Sequence, residues 1–300
     1  MRRDLALCAL LLLPACATAP VSKAPPVAAR PSAPTPSPTP PQTVPPDDNL
    51  NAVLWVQRAV EFGLVAREVY HVAELKLDQA LANPAWDALP REDRLGPSDG
   101  LPPAVIVDVD ETVLDNSPYQ ARLVRNGKEY NEASWAEWCR EEAAQPLPGA
   151  VEFARRAAER GVSVFYVSNR AVDLGPATLA NLRKAGFPVP DDHVFLGLGT
   201  VVEGCEVVGT DKGCRRRRVG RTHRVLMQFG DQIGDFVDVI PKTAAGREQS
   251  MAPYADWIGE RWWVLPNPTY GSWEPALFDD DWTLSRERRR RAKIDALRVN

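Results

Sequence analysis

The chain has 300 residues, 44% of them hydrophobic and 25% charged, with a formal net charge of −4. That balance describes a globular protein of one or two domains. It supplies neither the basic field that nucleic acid demands nor one that would hold the chain on a membrane surface.

The N-terminus is set apart by composition. Arg2 and Arg3 precede an apolar stretch from Leu5 to Leu13, too short to span a bilayer and shaped like an export signal. It closes in Leu13-Pro14-Ala15-Cys16, which resembles the lipobox of bacterial lipoproteins, whose cysteine is lipidated and becomes the mature N-terminus. The expectation is a signal peptide over 1–15 and a lipid on Cys16. A Pro-rich, disordered tether then follows over 16–47, since a stretch of Ala, Pro, Ser, Thr and Val cannot bury enough apolar area to fold. The protein is then expected in the cell envelope, lipid-anchored at the outer membrane.

Residues 48–283 read as one globular domain and 284–300 as a basic helix or tail, with Arg286 and Arg288 to Arg291 exposed. From Asn51 to Leu81 apolar residues recur at helical spacing (Val53, Val56, Val60, Leu64, then Val69, Val72 and Leu75), and Pro84 ends the pattern. The Pro-, Asp- and Gly-rich run 84–101 reads as a loop. Continuous apolar runs then follow at Ala104–Val107, Val162–Val167, Val194–Leu196, Val225–Phe229 and Trp262–Leu265. Runs of that kind are strands buried on both faces of a parallel sheet. Helical stretches at 149–160 and 176–185 separate some of them. The predicted fold class is therefore α/β, a doubly wound Rossmann-like parallel sheet with a small helical subdomain and no large cap. That subdomain draws on the N-terminal helix, the 120–148 segment and the C-terminal tail.

The polar residues that end these strands are Asp108 and Asp110, Ser168 and Asn169, and Asp231. Ligands bind outside the carboxyl ends of strands in such sheets, so these residues should share one crevice. A strand-tip carboxylate can attack an electrophile, and a second one two residues on can protonate a leaving group. Together with Asp231 they make a hard oxygen site that suits Mg²⁺ better than zinc. A phosphate ester is the substrate whose negative oxygens require such a set. His71, His193 and His223 show no metal-ligand spacing and read as surface or capping residues. Cys139, Cys205 and Cys214 lack CxxC spacing, though the last two could pair in an oxidising compartment.

The run Asp108-Val109-Asp110-Glu111-Thr112-Val113-Leu114-Asp115-Asn116, with Tyr119, resembles the first motif of haloacid-dehalogenase-superfamily phosphatases. More narrowly it resembles the class C acid phosphatases, which include lipoprotein 5′-nucleotidases (subfamily IIIB). Ser168-Asn169-Arg170, Lys212-Gly213-Cys214-Arg215 and Gly230-Asp231-Gln232-Ile233-Gly234-Asp235-Phe236 resemble the later motifs, in order, from about Asn51 to Trp273. The resemblance implies that Asp108 forms an aspartyl-phosphate, with Asp110 as general acid and then base. It implies Mg²⁺ on Asp108, the Asp110 carbonyl and Asp231, with Asp235 close by. Ser168, Asn169 and Lys212 would bind the phosphoryl group. Gln232 and Gly234 depart from the family's usual Asn and polar residue, and the Lys212–Asp231 interval is one residue short. For Arg215 to Arg218 the bland expectation is a solvated helical face.

Trp135, Tyr270 and Trp273 stand on polar stretches near the motifs and are expected to stack a nucleobase, whereas Trp138 reads as core. The activity implied is hydrolysis of phosphate monoesters, nucleoside monophosphates preferred, with a mildly acidic optimum. The alternatives are a broad phosphatase or phosphotransferase and a non-catalytic surface lipoprotein that binds nucleotide or metal. The partners implied are a small phosphate monoester and, through the lipid, a membrane; a homodimer is admitted and nucleic acid is not expected.

Overall fold

The computed structural model describes residues 47–206, 208–240 and 242–299. The expected signal peptide, the lipidated Cys16 and nearly all of the tether lie outside these residues.

Two helices come first, α1 (Leu50–Arg58) and α2 (Val60–Ala82), where the sequence spacing suggests one. The chain turns at Ala59, whose ψ of 125° is extended. The turn changes which face is buried. Val53 and Val56 are buried on α1, but Val60, Leu64, Val72 and Leu75, which continue their spacing, are exposed. The buried stripe of α2 is Phe62, Ala66, Tyr70, Ala73, Leu77 and Ala80. Small alanines let this helix approach the layer beneath closely, so the larger apolar residues did not mark the core face. Four backbone carbonyls at the end of α2 and just beyond, from Ala80, Leu81, Asn83 and Trp86, accept from the Arg224 guanidinium. A cation is favourable at that helix end.

Strand β1 (Pro103–Val107) follows the expected loop. A short antiparallel pair, β2 (Leu114–Asp115) and β3 (Gln145–Pro146), brackets α3 (Ser117–Asn126) and α4 (Glu132–Arg140). The chain continues as α5 (Ala150–Glu159), β4 (Ser163–Ala171), α6 (Gly175–Ala185), β5 (Phe195–Leu198), α7 (Gly213–Gly220), β6 (Arg224–Gly230), α8 (Ala244–Met251), β7 (Trp262–Val264) and α9 (Arg286–Asp295). The main sheet has the order β5-β4-β1-β6-β7, with every neighbouring pair parallel.

Successive residues of a strand face opposite sides. Val105 and Val107 therefore enter one apolar cluster with α2 and α5, and Ala104 and Ile106 enter a second with Phe236 and Trp262. Both faces are covered, as the continuous apolar runs require. The order also places the topological switch at β1, because the chain leaves it towards β4 and β5 and returns on its other side as β6 and β7. A crevice opens at such a point, beyond the strand ends. The small helical subdomain of α3 and α4 stands beside it, and no large cap domain is inserted among the described residues.

Candidate active site

Asp108 immediately follows β1, and its amide donates to the Phe229 carbonyl of β6 at 2.9 Å, so the sheet itself fixes its position. The side chain is buried. One carboxylate oxygen pairs with the Lys212 ammonium and the other accepts from the Thr112 hydroxyl at 3.1 Å. Lys212 caps α7 and also holds Asp235 at 2.6 Å. Burial alone would lower the lysine, but Asp108 and Asp235 reverse this and raise it, so it stays charged. The expected lysine is therefore in place, despite the short interval to Asp231, and none of the neighbouring arginines substitutes for it.

The next turn is held by a network. Glu111 adopts a positive φ of 56°, buries its carboxylate, and accepts from the Asn116 amide at 2.7 Å and from the Tyr270 hydroxyl. Burial, with Asp110 nearby, pushes Glu111 up to about 8. Asp110 receives the Arg170 guanidinium at 2.8 and 2.9 Å and the Asn116 side-chain amide at 2.8 Å, all on the same oxygen. Among the described residues its other oxygen meets only the Ser168 hydroxyl, at 3.3 Å. Arg170 is 1% exposed, bridges Asp110 to the Asn116 side-chain oxygen, and lies 5.4 Å from the Trp135 ring centre.

Asp231 follows β6 and accepts from Asn267, just beyond β7, at 2.7 Å. Gly230 has to precede it, because a Cβ there would lie 2.3 Å from an Asp235 carboxylate oxygen. Asp108, Asp231 and Asp235 each offer an oxygen within 4.8 Å of the others. Burial, then Asp235 and Asp108, hold the Asp231 carboxyl well above its usual range. Burial likewise lifts Asp108 to about 7, with Lys212 opposing and Asp235 and Asp110 adding to the rise. Three carboxylates crowded this closely, with Asp108 and Asp231 lifted by burial, form a donor set that fits a hard divalent cation.

These groups open on a cleft of about 1020 Å³, lined among others by Asp108, Asp110, Asn169, Lys212, Asp231, Trp135 and Tyr270. Asp108, Asp110, Asn169 and Asp231 thus meet as the strand-end argument requires, and Lys212 and Asp235, which only the resemblance implied, join them. Ser168 differs: it is fully buried, and its hydroxyl accepts the Arg170 amide and touches Asp110. Trp273 also differs, for it is outside the cleft wall, 39% exposed, and donates to the Tyr270 carbonyl. Trp138 is buried in the core and donates to Asn116 at 2.8 Å.

The arginine run is the main correction. Arg218 is exposed, but Arg215 and Arg216 are 1% and 0% exposed. Arg215 binds the carbonyls of Ser168, Thr210 and Asp211 and the Asn169 side chain, which ties α7 to the end of β4. Burial and Arg216 bring it down to about 10, so it remains a cation. Arg216 pairs with Asp93 at 2.6 Å and Asp238 at 2.9 Å, and Arg217 shares Asp93. Cys205 and Cys214 form a disulfide, which anchors the segment before Lys212 to the first turn of α7.

A family model described as HAD superfamily, subfamily IIIB (acid phosphatase) matches residues 54–273. Among solved structures, the class C acid phosphatase from Bacillus anthracis superposes with a TM-score of 0.72 and 32% identity, covering 84% of this chain and 97% of that one. The same protein is also solved with tungstate bound. Of curated proteins, a stem 31 kDa glycoprotein of Glycine max is 26% identical over 55% of this chain and 58% of its own length. Acid phosphatase 1 of Solanum lycopersicum is 26% identical over 55% of this chain and 57% of its own length. The chain thus spans less than two thirds of these curated relatives.

Proposed function

Because the chain belongs to the acid phosphatases of subfamily IIIB of the HAD superfamily, we propose that it hydrolyses phosphate monoesters through a covalent aspartyl-phosphate on Asp108. The observation that carries this reading is the pairing of roles at the end of β1. Asp108 is oriented by Lys212 and Thr112, while Asp110 is held separately by Arg170 and Asn116.

In the first step an Asp108 oxygen bonds to phosphorus and the ester P–O bond breaks. The departing oxygen takes a proton from Asp110. Three donors occupy one Asp110 oxygen, so the one facing Ser168 is the oxygen that can carry that proton. In the second step water attacks the phosphoryl group, Asp110 takes its proton, and phosphate leaves with Asp108 regenerated. Lys212 and the Asn169 side-chain amide, whose oxygen is already engaged by Arg215, are the phosphoryl donors. Ser168 joins them by turning its hydroxyl away from Asp110. Asp108, Asp231, Asp235 and the Asp110 carbonyl would hold Mg²⁺. When bound, the cation supplies charge neutralisation at the phosphoryl oxygens.

Nucleoside monophosphates are the proposed preference, since Trp135 and Tyr270 line the same cleft and can stack a base. The hydrogen bond to Glu111 fixes the Tyr270 ring. Anchoring through Cys16, at the outer membrane of a cell envelope, belongs to the proposal and rests on Leu13-Pro14-Ala15-Cys16. Initial rates on nucleotides, sugar phosphates and aryl phosphates, with Mg²⁺ and with EDTA, test the reading. Turnover should require the cation and favour nucleotides by about tenfold, the scale of one stacked base. Equal efficiency on all substrates would leave a broad phosphatase, and full activity in EDTA would remove the metal.

A further inference from the structure

The cleft carries a cation that this mechanism does not use. Most basic groups on its wall are neutralised by carboxylates. Arg170 faces Asp110, and Lys212 faces Asp108 and Asp235. On α9 the cleft-lining cations are likewise paired, as Arg290 and Lys293 with Asp48 show. Lys128 and Lys242 have no such partner among the described residues but are exposed, so water solvates them.

Arg247 on α8 is the exception. It is half-buried on the cleft wall, and among the described residues it has no carboxylate partner. Among the described residues its guanidinium makes one hydrogen bond, to the Ser272 hydroxyl. A guanidinium has five N–H donors in a fixed fork, so most of its capacity is left. Burial brings its pKa down, the direction expected of a charge that has lost water without gaining an anion. Its position is nonetheless built. The Ser272 amide donates to the Gln232 side chain at 2.8 Å, and that side chain also reaches Asp231 at 3.4 Å. The glutamine that departs from the family's usual residue thus fixes the serine against which Arg247 rests.

We propose that Arg247 is a specificity residue that binds a second anionic group of the substrate, a phosphate or a carboxylate, while the scissile phosphate sits at Asp108. The inference rests on the phosphatase reading and narrows its substrates to phosphomonoesters carrying a further anion. A planar fork meeting a two-oxygen anion forms charge-assisted, paired hydrogen bonds.

The test compares substrates that differ only in the second anion. One pair is a nucleoside 3′,5′-bisphosphate against the 5′-monophosphate, and the other is phosphoglycerate against glycerol phosphate. Wild-type protein with Mg²⁺ should show a KM about tenfold lower for the member that carries the second anion in at least one pair. Which pair responds tells phosphate from carboxylate. Arg247→Gln should collapse that ratio towards one, and Arg247→Lys should keep part of it. Each ratio is taken within a single preparation, so a reduced folded fraction cancels. No preference in either pair for the wild type overturns the inference, as does a ratio that survives Arg247→Gln. Absence of turnover on every substrate, aryl phosphate included, would instead bring down the phosphatase reading beneath it.

Discussion

The two aspartates of the first motif differ in what touches each oxygen, and that difference separates their roles more firmly than their spacing does. Asp108 has a cation on one oxygen and a hydroxyl on the other, whereas Asp110 has three donors on one oxygen and leaves the second nearly free. Their surroundings also make a pH prediction. Burial lifts Glu111 to about 8 and Asp108 to about 7, against roughly 4.3 and 3.9 in an unfolded chain. The cation-free fold therefore binds protons that the unfolded chain releases. The stability this contributes is full below about pH 4 and is lost as pH rises through about 7 to 8. Thermal melting in EDTA should give a lower midpoint at about pH 8 than at about pH 5.5, with Mg²⁺ restoring more at the higher pH. A midpoint that climbs with pH in EDTA would contradict this. Asp108, Asp110 and Asp231 were legible in the sequence because each follows an apolar run at its strand end. Glu111, Asn116 and Arg170 stand in the quoted motifs and carry as much of the geometry, yet nothing local assigns them a role. Arg170 meets Asp110 only once β4 lies beside β1, and Glu111 meets Tyr270 only once the segment after β7 folds back.

At the scale of elements, every strand of the main sheet was legible, since burial on both faces leaves a continuous apolar signature. The helices were less so. The larger apolar residues of α2 suggested a face that is in fact exposed, because the buried stripe is rich in alanine, which periodicity weighs lightly. Helix α7 is the stronger case. Four consecutive arginines read as a solvated face, but Asp93 reaches Arg216 and Arg217 from the loop before β1, and Asp238 reaches Arg216 from beyond β6. Sequence cannot register carboxylates that arrive from so far along the chain. Removing one side of such a buried pair leaves an uncompensated charge. Arg216→Met should therefore cost about 3–5 kcal/mol in urea unfolding, and adding Asp93→Leu should recover much of it. A loss for Arg216→Met within about 0.5 kcal/mol, the range of an ordinary surface change, would mean that the cluster is not a structural anchor.

Across the whole molecule, the sheet supplies one open edge of chemistry and the later elements enclose it. Lys212 arrives on α7, tied by the Cys205–Cys214 disulfide and by Arg215, and Asn267 and Tyr270 arrive after β7. The basic C-terminal helix returns to the cleft rather than trailing free, with Arg286, Arg289 and Arg290 paired to Asp47, Glu129 and Asp48. What unites these parts is the claim that substrate phosphate passes through a bond to Asp108. The most direct test is to quench the Mg²⁺-loaded protein in acid during turnover of an aryl phosphate, reduce with borohydride, and map the peptides. An acyl-phosphate on Asp108 should appear as homoserine at position 108, with Asp110 unchanged, and Asp108→Asn should abolish both label and turnover. Steady turnover with no modification at position 108, or undiminished turnover by Asp108→Asn, would contradict the account.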